Sequence, residues 1–214
     1  AAAGAPAHDA PAPAPAPLGY ELPAPGSYEL PPIAHVRDFQ VLDERGAPAP
    51  LLGLAPDQVA VVSFVYTRCG EGRGCPAALA VVQRLDRAIA ADPALAARVR
   101  LATLSFDPAH DTPERMAALR ASLRPRADWR FLTAASPAAI APVLGAFGQD
   151  ALPLVGPDGE SLGLFRHVLK VFLVDGRGAV RNVYSSGFLS AELVLVDART
   201  VLASLPDRIA GAAR

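Results

Sequence analysis

The sequence predicts an α/β fold in which a central mixed sheet lies between layers of helices. The continuous apolar, β-branched run 59–67 is typical of a strand that is covered on both faces, and 98–107 predicts a second buried strand. Each run is followed by a segment with helical periodicity, as expected when parallel strands are joined by helices. Residues 167–187 contain two further apolar runs around the turn sequence DGRG, which predicts an antiparallel hairpin.

The individual elements follow from local signals along the chain. Pro76 suits the first turn of a helix, and Thr112 is placed to cap another. Pro142 lies inside a third helical segment, which it is expected to shorten or kink. In order, the sequence predicts a strand and turn over 38–48, a strand over 59–67, a helix from 76, a strand over 98–107, a helix over 113–123, a strand over 128–133, a helix over 136–148, two strands within 167–187 and a helix over 190–205. This order gives a parallel centre and a terminal antiparallel hairpin, which is the thioredoxin-like arrangement of three layers.

The chain divides into a linker and one domain. Residues 1–32 are dominated by Pro and Ala, which favours extended backbone with no core to bury, so they predict a disordered tether. Residues 33–214 have a globular composition and predict one thioredoxin-like domain. The first residues, AAAGAPAHDA, are similar to the small residues around a signal-peptide cleavage site. They predict a periplasmic or other extracytoplasmic location and are equally compatible with a membrane anchor ahead of them.

Composition and charge argue against two classes of function. The formal net charge is −1, which gives no electrostatic support for binding nucleic acid. No apolar run approaches the roughly 20 residues that a membrane-spanning helix needs. Hydrophobic residues make up 51% of the chain, which is enough for a substantial buried core.

The only two cysteines, Cys69 and Cys75, are separated by five residues that include three glycines. Three interpretations are open. A structural disulfide would close a very short ring and stabilise the fold weakly. A redox pair is plausible, although such pairs are usually spaced C-x-x-C on this fold, and two thiolates with an imidazole would suit a soft ion, Cu(I) above all. Cys75 is expected at a helix N-terminus, where the helix dipole together with Arg68 and Arg73 would favour its thiolate.

A metal site needs a third ligand, and His167 is the best candidate. It precedes the apolar strand VLKVFLVD, whose start lies across from the cysteine loop in a thioredoxin-like sheet. The alternative is a strand-edge histidine bonded to backbone. The other three histidines predict surface or tail positions: His8 in the linker, His35 before the first strand and His110 in the loop before a helix.

Three segments together resemble the SCO/SenC family of cytochrome c oxidase assembly proteins. They are FVYTRC…CP, LSFDPAHDTPERMAALR and RHVLKVFLVDGRGAVRNVY, in the order and spacing of that family over about residues 33–205. The resemblance implies a thioredoxin-like fold and one copper ion per chain, Cu(I) or Cu(II), bound by Cys69, Cys75 and His167. It also implies a metallochaperone that helps to assemble the dinuclear copper centre of the oxidase. The partner would be the copper-centre subunit of a terminal oxidase or another copper protein.

The sequence departs from the family pattern in two places. The cysteines are spaced C-x5-C instead of C-x-x-x-C, so Cys69 is expected in an irregular loop. Arg166 stands where many members have Asp, and a cation beside His167 is expected to disfavour a bound cation and favour redox work. The alternative function is therefore a thiol–disulfide oxidoreductase, with Cys69 and Cys75 as the catalytic pair and no stably bound copper. A peroxidase is a weaker alternative because Thr67 is available but the rest of its motif is not apparent.

Three acidic residues and one insertion are further candidates. The resemblance places Asp107 and Asp111 near the copper loop, where a carboxylate would orient a ligand or contact the partner. The alternative is that Asp107 forms a turn and Asp111 precedes the Thr112 cap. Glu71 is either an auxiliary oxygen ligand for Cu(II) or simply solvated. Residues 155–163 predict a turn-bearing insertion that could shape a docking surface.

Overall fold

The computed structural model describes residues 20–69 and 74–206. The strands are β1 Ala34–His35, β2 Gln40–Leu42, β3 Pro48–Pro50, β4 Val59–Val65, β5 Val99–Ser105, β6 Trp129–Leu132, β7 Ala151–Val155, β8 Ser161–His167, β9 Lys170–Asp175 and β10 Ala179–Ser185. The helices are α1 Cys75–Ala90, α2 Pro93–Ala96, α3 Pro113–Leu123, α4 Pro137–Phe147 and α5 Ala191–Ser204. The candidates His8, Glu71 and Arg73 lie outside the described residues.

Six strands form the central sheet, in the order β1-β10-β9-β4-β5-β6. Strands β4, β5 and β6 are parallel, whereas β9 is antiparallel to β4 and β10 is antiparallel to β9. The turn between β9 and β10 is held by Asp175, whose Oδ1 accepts hydrogen bonds from the backbone N–H groups of Arg177 and Ala179 at 2.9 and 3.0 Å. The predicted α/β class with a central mixed sheet is confirmed.

Strand β4 shows why the sheet is covered on both faces. All seven of its residues are buried. Their alternation sends Val59 and Val61 into the core formed with α1 and α5, and Val62 and Phe64 into the core formed with α4 and the β2–β3 hairpin. Each such buried Val or Phe stabilises the fold by about 1.5–3 kcal/mol. The carboxyl end of β4, where the cysteine loop begins, is therefore part of a rigid platform.

The segment between α4 and β9 differs from the prediction. Residues Ala151–Val155 and Ser161–His167 form a separate antiparallel hairpin, β7–β8, around the expected turn. His167 consequently ends β8, and the apolar strand that it was expected to open begins at Lys170. The junction is held by buried Gln149, whose Nε2 donates to the carbonyl oxygen of Val168 at 3.0 Å.

The helices depart from the prediction only in detail. Helix α4 runs through Pro142 without being shortened and ends at Phe147, where the C-cap Gly148 has a left-handed φ of 58°. Thr112 is at the N-cap of α3, but its side chain accepts no capping hydrogen bond. Within the described part of the chain, none of the helices combines the length and apolarity needed to cross a membrane.

Residues 20–32 contact the domain although they belong to the Pro/Ala-rich stretch. The Tyr28 hydroxyl donates to Oδ1 of the buried Asp197. The Gly26 backbone N–H donates to Thr200 Oγ1 at 2.9 Å. Since Asp197 and Thr200 both lie in α5, these contacts fasten this part of the N-terminal stretch to the last helix.

Candidate metal centre

Cys69, Cys75 and His167 come together beside the carboxyl end of β4. Cys69 lies in the loop after β4, Cys75 is the first residue of α1, and His167 is the last residue of β8. Their ligand atoms, two Sγ atoms and one imidazole nitrogen, all lie within 4.8 Å of one another. Cys75 Sγ is 3.8 Å from His167 Nε2. Among the described residues, this is the one group of three or more His, Cys, Asp or Glu side chains placed to hold a metal ion.

The spacing of these atoms fits a single metal ion. With bonds of about 2.0–2.3 Å, two ligands of one ion can be no more than about 4.6 Å apart. The upper bound of 4.8 Å between the ligand atoms is close to that limit, so small side-chain rotations suffice to bring all three to one point. Both cysteines are free thiols, the redox form in which sulfur can become a metal ligand. Two sulfurs and one imidazole suit soft and borderline ions such as Cu(I) and Zn²⁺.

Burial determines the protonation of Cys75 more than its place in the helix does. The residue follows the N-cap Gly74, where the sequence predicted a stabilised thiolate. It is only 2% exposed. This burial raises the pKa of the Cys75 thiol to about 12, although a hydrogen bond from the Tyr66 backbone N–H acts in the opposite direction. In the metal-free chain burial therefore opposes the thiolate that the helix N-terminus was expected to favour, and a metal ion has to displace the proton.

His167 presents its Nε2 atom to the cysteines. The other ring nitrogen, Nδ1, is 3.3 Å from the carbonyl oxygen of Phe165. Because a carbonyl oxygen only accepts, this contact places the proton on Nδ1 and leaves a lone pair on Nε2. The same kind of hydrogen bond orients ligating imidazoles in metal sites. The two alternatives left open by the sequence are thus compatible, since His167 contacts backbone through one nitrogen and the cysteines through the other.

Two aromatic rings pack on the imidazole, and a third ring packs on both of them. The ring centroid of His167 is 5.5 Å from that of Tyr66 and 5.2 Å from that of Phe106. Phe165 in turn lies 5.2 Å from Tyr66 and 5.3 Å from Phe106. Burial raises the pKa of Tyr66 to about 12, which keeps its phenol neutral. Sequence reasoning missed these residues because it treated them as core, although Tyr66 and Phe106 directly follow two neighbouring parallel strands and so had to lie at one edge of the sheet.

Asp111 holds the cysteine-bearing loop and is not a member of the ligand group. Its carboxylate is fully buried and accepts hydrogen bonds from the Thr67 backbone N–H at 2.9 Å, from Thr67 Oγ1 and from Ser105 Oγ at 2.5 Å. The carboxylate therefore ties the segment after β4 to the end of β5. Asp111 was expected either to orient a ligand or contact the partner, or to have a structural role before the Thr112 cap. The contacts support a structural role, in which Asp111 stabilises the cysteine loop and not the helix cap.

Arg68 connects the cysteine loop to the β7–β8 hairpin. Its Nη2 is 2.7 Å from Oδ2 of Asp107, whose side chain is 5% exposed. The guanidinium also lies against Gly163 of β8, because a Cβ added there would be 2.3 Å from Arg68 Nη1. Arg68 adjoins Cys69, and Gly163 is in the same strand as His167. The Asp107 carboxylate neutralises Arg68, so the expected stabilisation of a thiolate by this cation is not supported.

Arg166 faces away from the ligand group, contrary to expectation. Successive residues of a strand point to opposite faces, so Arg166 and His167 project from different sides of β8. Arg166 is exposed and pairs across the hairpin with Leu152. Of the other histidines, His35 is exposed in the edge strand β1, and His110 is half-buried before α3 instead of exposed. Neither belongs to the ligand group.

A small cleft gives access to the sulfur atoms. It has a volume of about 90 Å³ and is lined by both cysteines together with Pro76, Leu79 and Leu119. Its other walls come from the end of β4 and the loop that follows, so it lies at the same rim as the ligand group. The ligand group is thus bordered by aromatic rings around the imidazole and by an apolar cleft beside the thiols.

The family model described as SCO1/SenC matches residues 29–203 of the chain. This range includes the strands, helices and loops that carry all three ligand residues. Curated protein sequences give no significant match.

Several solved structures share the fold. Bradyrhizobium japonicum ScoI with copper bound is 24% identical, covering 78% of this chain and 99% of that chain with a TM-score of 0.61. A SCO1/SenC family lipoprotein from Bacillus anthracis is 23% identical, covering 82% and 99% with a TM-score of 0.66. BsSco, a member of the Sco family of cytochrome c oxidase assembly proteins with a disulfide switch, is 22% identical, covering 82% and 98% with a TM-score of 0.62. At these identities the likeness shows the fold alone, and it confirms the thioredoxin-like arrangement.

Proposed function

As the chain belongs to the SCO1/SenC family, we propose that it is a copper-binding metallochaperone that assists assembly of the dinuclear copper centre of cytochrome c oxidase. The observation that carries the proposal is the convergence of Cys69, Cys75 and His167, whose ligand atoms lie within 4.8 Å of one another. The copper bound to B. japonicum ScoI and the oxidase-assembly role of the BsSco family support it.

The donor set suits one copper ion per chain. Two thiolates and an imidazole form a three-coordinate S₂N set, which favours soft Cu(I). The orientation of His167 by the Phe165 carbonyl oxygen leaves Nε2 free for the third bond. Because both thiols must lose their protons, binding releases protons and weakens as the pH falls.

Ligand exchange would pass the ion to an acceptor protein. Cys69 and His167 are half-buried, whereas Cys75 is buried, so the donor atoms of an acceptor reach the first two before the third. Each bond from the ion to this chain is replaced by a bond to the acceptor, and Cu(I) keeps its oxidation state. The released thiolates take up protons from water.

The setting proposed for this transfer is extracytoplasmic. The Bacillus anthracis neighbour is a lipoprotein, which supports a membrane-anchored arrangement for this chain. Residues 33–214 would then be the copper-carrying domain and the residues ahead of them the tether, whose last part, residues 20–32, packs on α5. The proposed partner is the copper-centre subunit of a terminal oxidase.

The test is a titration of the reduced chain with Cu(I) against a competing chelator. We expect one ion per chain and a loss of affinity of more than about 100-fold in His167→Ala, because even a lost outer-shell partner lowers metal affinity 10–100-fold. His35→Ala is the matched control and should bind as the unmodified chain does, since His35 is exposed in an edge strand. Weak binding that is equal in all three proteins would contradict the proposal.

The thiol–disulfide oxidoreductase alternative is less well supported. One of its two arguments was the cation at Arg166, which points away from the ligand group. Burial also disfavours the thiolate of Cys75 in the metal-free chain, which leaves Cys69 as the more accessible nucleophile. Catalytic reduction of a disulfide substrate, combined with weak Cu(I) binding, would favour this alternative.

A further inference from the structure

The β7–β8 hairpin exposes an apolar surface next to the metal centre. Ten large hydrophobic side chains of the described chain are exposed, and six of them belong to the hairpin or adjoin it. These six, called here the hairpin patch, are Leu152, Leu154, Val155, Leu162, Leu164 and Val168, with exposed fractions between 40% and 60%. Exposed apolar residues that occur singly need no explanation, whereas a contiguous group marks an interaction site.

The two faces of the hairpin have different roles. Alternation along β8 places Gly163, Phe165 and His167 on one face. This inner face is fixed to the metal centre, because Phe165 packs on Tyr66 and Phe106 and Gly163 packs on Arg68. Leu162 and Leu164 alternate to the outer face, and Leu152 joins them through its pairing with Arg166. A molecule bound to the outer face would therefore lie on the opposite face of the strand whose last residue is His167.

The size of the hairpin patch indicates a transient partner. Six side chains exposed by about half amount to roughly 500 Å², within the range of the largest functional patches of monomers. Two such surfaces together bury about 1,000 Å², below the roughly 1,600 Å² of a standard stable complex and in the range of short-lived encounters. A protein that collects an ion and leaves needs an interface of this class, whereas a stable dimer of this chain needs a larger one.

The positive charge on the outer face favours a partner with an acidic residue. Arg166 is exposed between the leucines and makes no ion pair with any of the described residues. A partner with a carboxylate at the rim of an apolar surface would complement it and associate faster at low salt.

We propose that the hairpin patch is the docking surface for the protein that accepts copper, and that this acceptor presents an apolar surface with an acidic residue opposite Arg166. The proposal rests on the proposed function, since it concerns the partner of the same ligand group. Docking there brings the acceptor to the rim that carries His167 and the half-buried Cys69, so its ligands can begin the exchange. The insertion at 155–163 noted in the sequence thus forms the tip of this surface.

The test compares two acceptors of Cu(I). One is the purified soluble copper-centre domain of a cytochrome c oxidase from the organism that makes this chain, and the other is a small chelator. In Leu152→Thr/Leu164→Thr we expect transfer to the oxidase domain to slow by at least tenfold, with the equilibrium affinity for Cu(I) and the rate of transfer to the chelator unchanged within twofold. Threonine keeps the strand preference. Ile33→Thr is the matched control, because Ile33 is 62% exposed and lies next to β1, outside the hairpin sequence.

Other outcomes assign the patch differently. Equal transfer rates in all variants would overturn the proposal. Concentration-dependent dimerisation of the unmodified chain, lost in the double variant, would assign the patch to a second copy. Vesicle binding lost in the double variant would assign it to a membrane. Failure of the unmodified chain to bind Cu(I) tightly would instead contradict the proposed function, and the affinity measurement detects this separately.

Arg166→Glu is expected to slow transfer to the oxidase domain about tenfold at low salt and less at high salt.

Discussion

Replacing Asp111 tests whether a buried carboxylate holds the cysteine loop. In Asp111→Ala, three hydrogen bonds to a charged acceptor are lost: from the Thr67 N–H, from Thr67 Oγ1 and from Ser105 Oγ. Hydrogen bonds to charged groups contribute about 1.5–3 kcal/mol each, which sets an upper bound of about 4.5–9 kcal/mol. The two hydroxyls can turn to other acceptors and a buried charge is removed, whereas the Thr67 N–H cannot turn. The net loss in the free energy of unfolding should therefore be about 2–4 kcal/mol, below that bound, with the unsatisfied Thr67 N–H as its largest part.

Urea unfolding followed by the fluorescence of Trp129 measures this loss. Trp129 is the chain's single tryptophan and is 3% exposed, so its emission should report global unfolding. Asp111→Asn keeps one acceptor oxygen and should lose about 1–2 kcal/mol. Asp158→Ala, in the exposed tip of the hairpin, should change the stability by no more than about 0.5 kcal/mol. A loss below about 1 kcal/mol in Asp111→Ala would refute the assignment of Asp111 as the holder of the loop.

Three further predictions concern other contacts. Gly163→Ala should lower the affinity for Cu(I) about tenfold, because the new Cβ displaces Arg68 from between the cysteine loop and β8. Tyr28→Phe should lower the free energy of unfolding by about 1–2 kcal/mol, because the buried Asp197 loses one donor. Hydrogen bonds from the Ala47 and Arg45 backbone N–H groups and the Arg45 guanidinium lower the pKa of Asp43 in the folded chain. The stability from Asp43 should thus be present above about pH 4, the ordinary pKa of Asp, and be lost as the pH falls through the lower folded value. In Asp43→Asn the free energy of unfolding should therefore depend less steeply on pH in this acid range.

Each of these predictions has a measurement that can contradict it. Unchanged Cu(I) affinity in Gly163→Ala, measured by competition, would show that the contact with Arg68 does not position the ligands. For Tyr28→Phe, urea unfolding should be accompanied by faster hydrogen exchange at the Gly26 N–H, and identical exchange would contradict the role of the contact. For Asp43→Asn, the free energy of unfolding should lie below that of the unmodified chain by a constant amount above about pH 4, and the two should converge as the pH falls through the folded pKa of Asp43; a difference that does not shrink at low pH would contradict the prediction.

The sheet was predictable because its strands are buried on both faces. Strand β4 is a nearly continuous apolar run and β5 is mostly apolar, so hydrophobicity located them. Strands β7 and β8 were missed because leucines point to solvent on their outer face and remove the apolar–polar alternation that identifies a half-buried strand. The position of His167 at the start of the following strand was consequently wrong.

The three residues of the ligand group were named from the sequence, and two properties of the group were not. The rule that a helix N-terminus favours a thiolate applies to exposed cysteines, and nothing in the sequence indicated that Cys75 is buried. Likewise, the direction of Arg166 depends on β8, which was not recognised. The burial of a side chain and the face of a strand from which it projects are properties of the folded chain. Local sequence patterns therefore predicted the three ligand residues but not the environment around them.

The wide separation of the ligands along the chain makes copper loading a source of stability. Cys75 and His167 are 92 positions apart, so an ion bound to both acts as a reversible cross-link between distant parts of the polypeptide. Binding only to the folded chain raises the free energy of unfolding by about 2.7 kcal/mol when free metal is 100 times its Kd. The melting temperature of the domain would then serve as a label-free gauge of how much copper it carries.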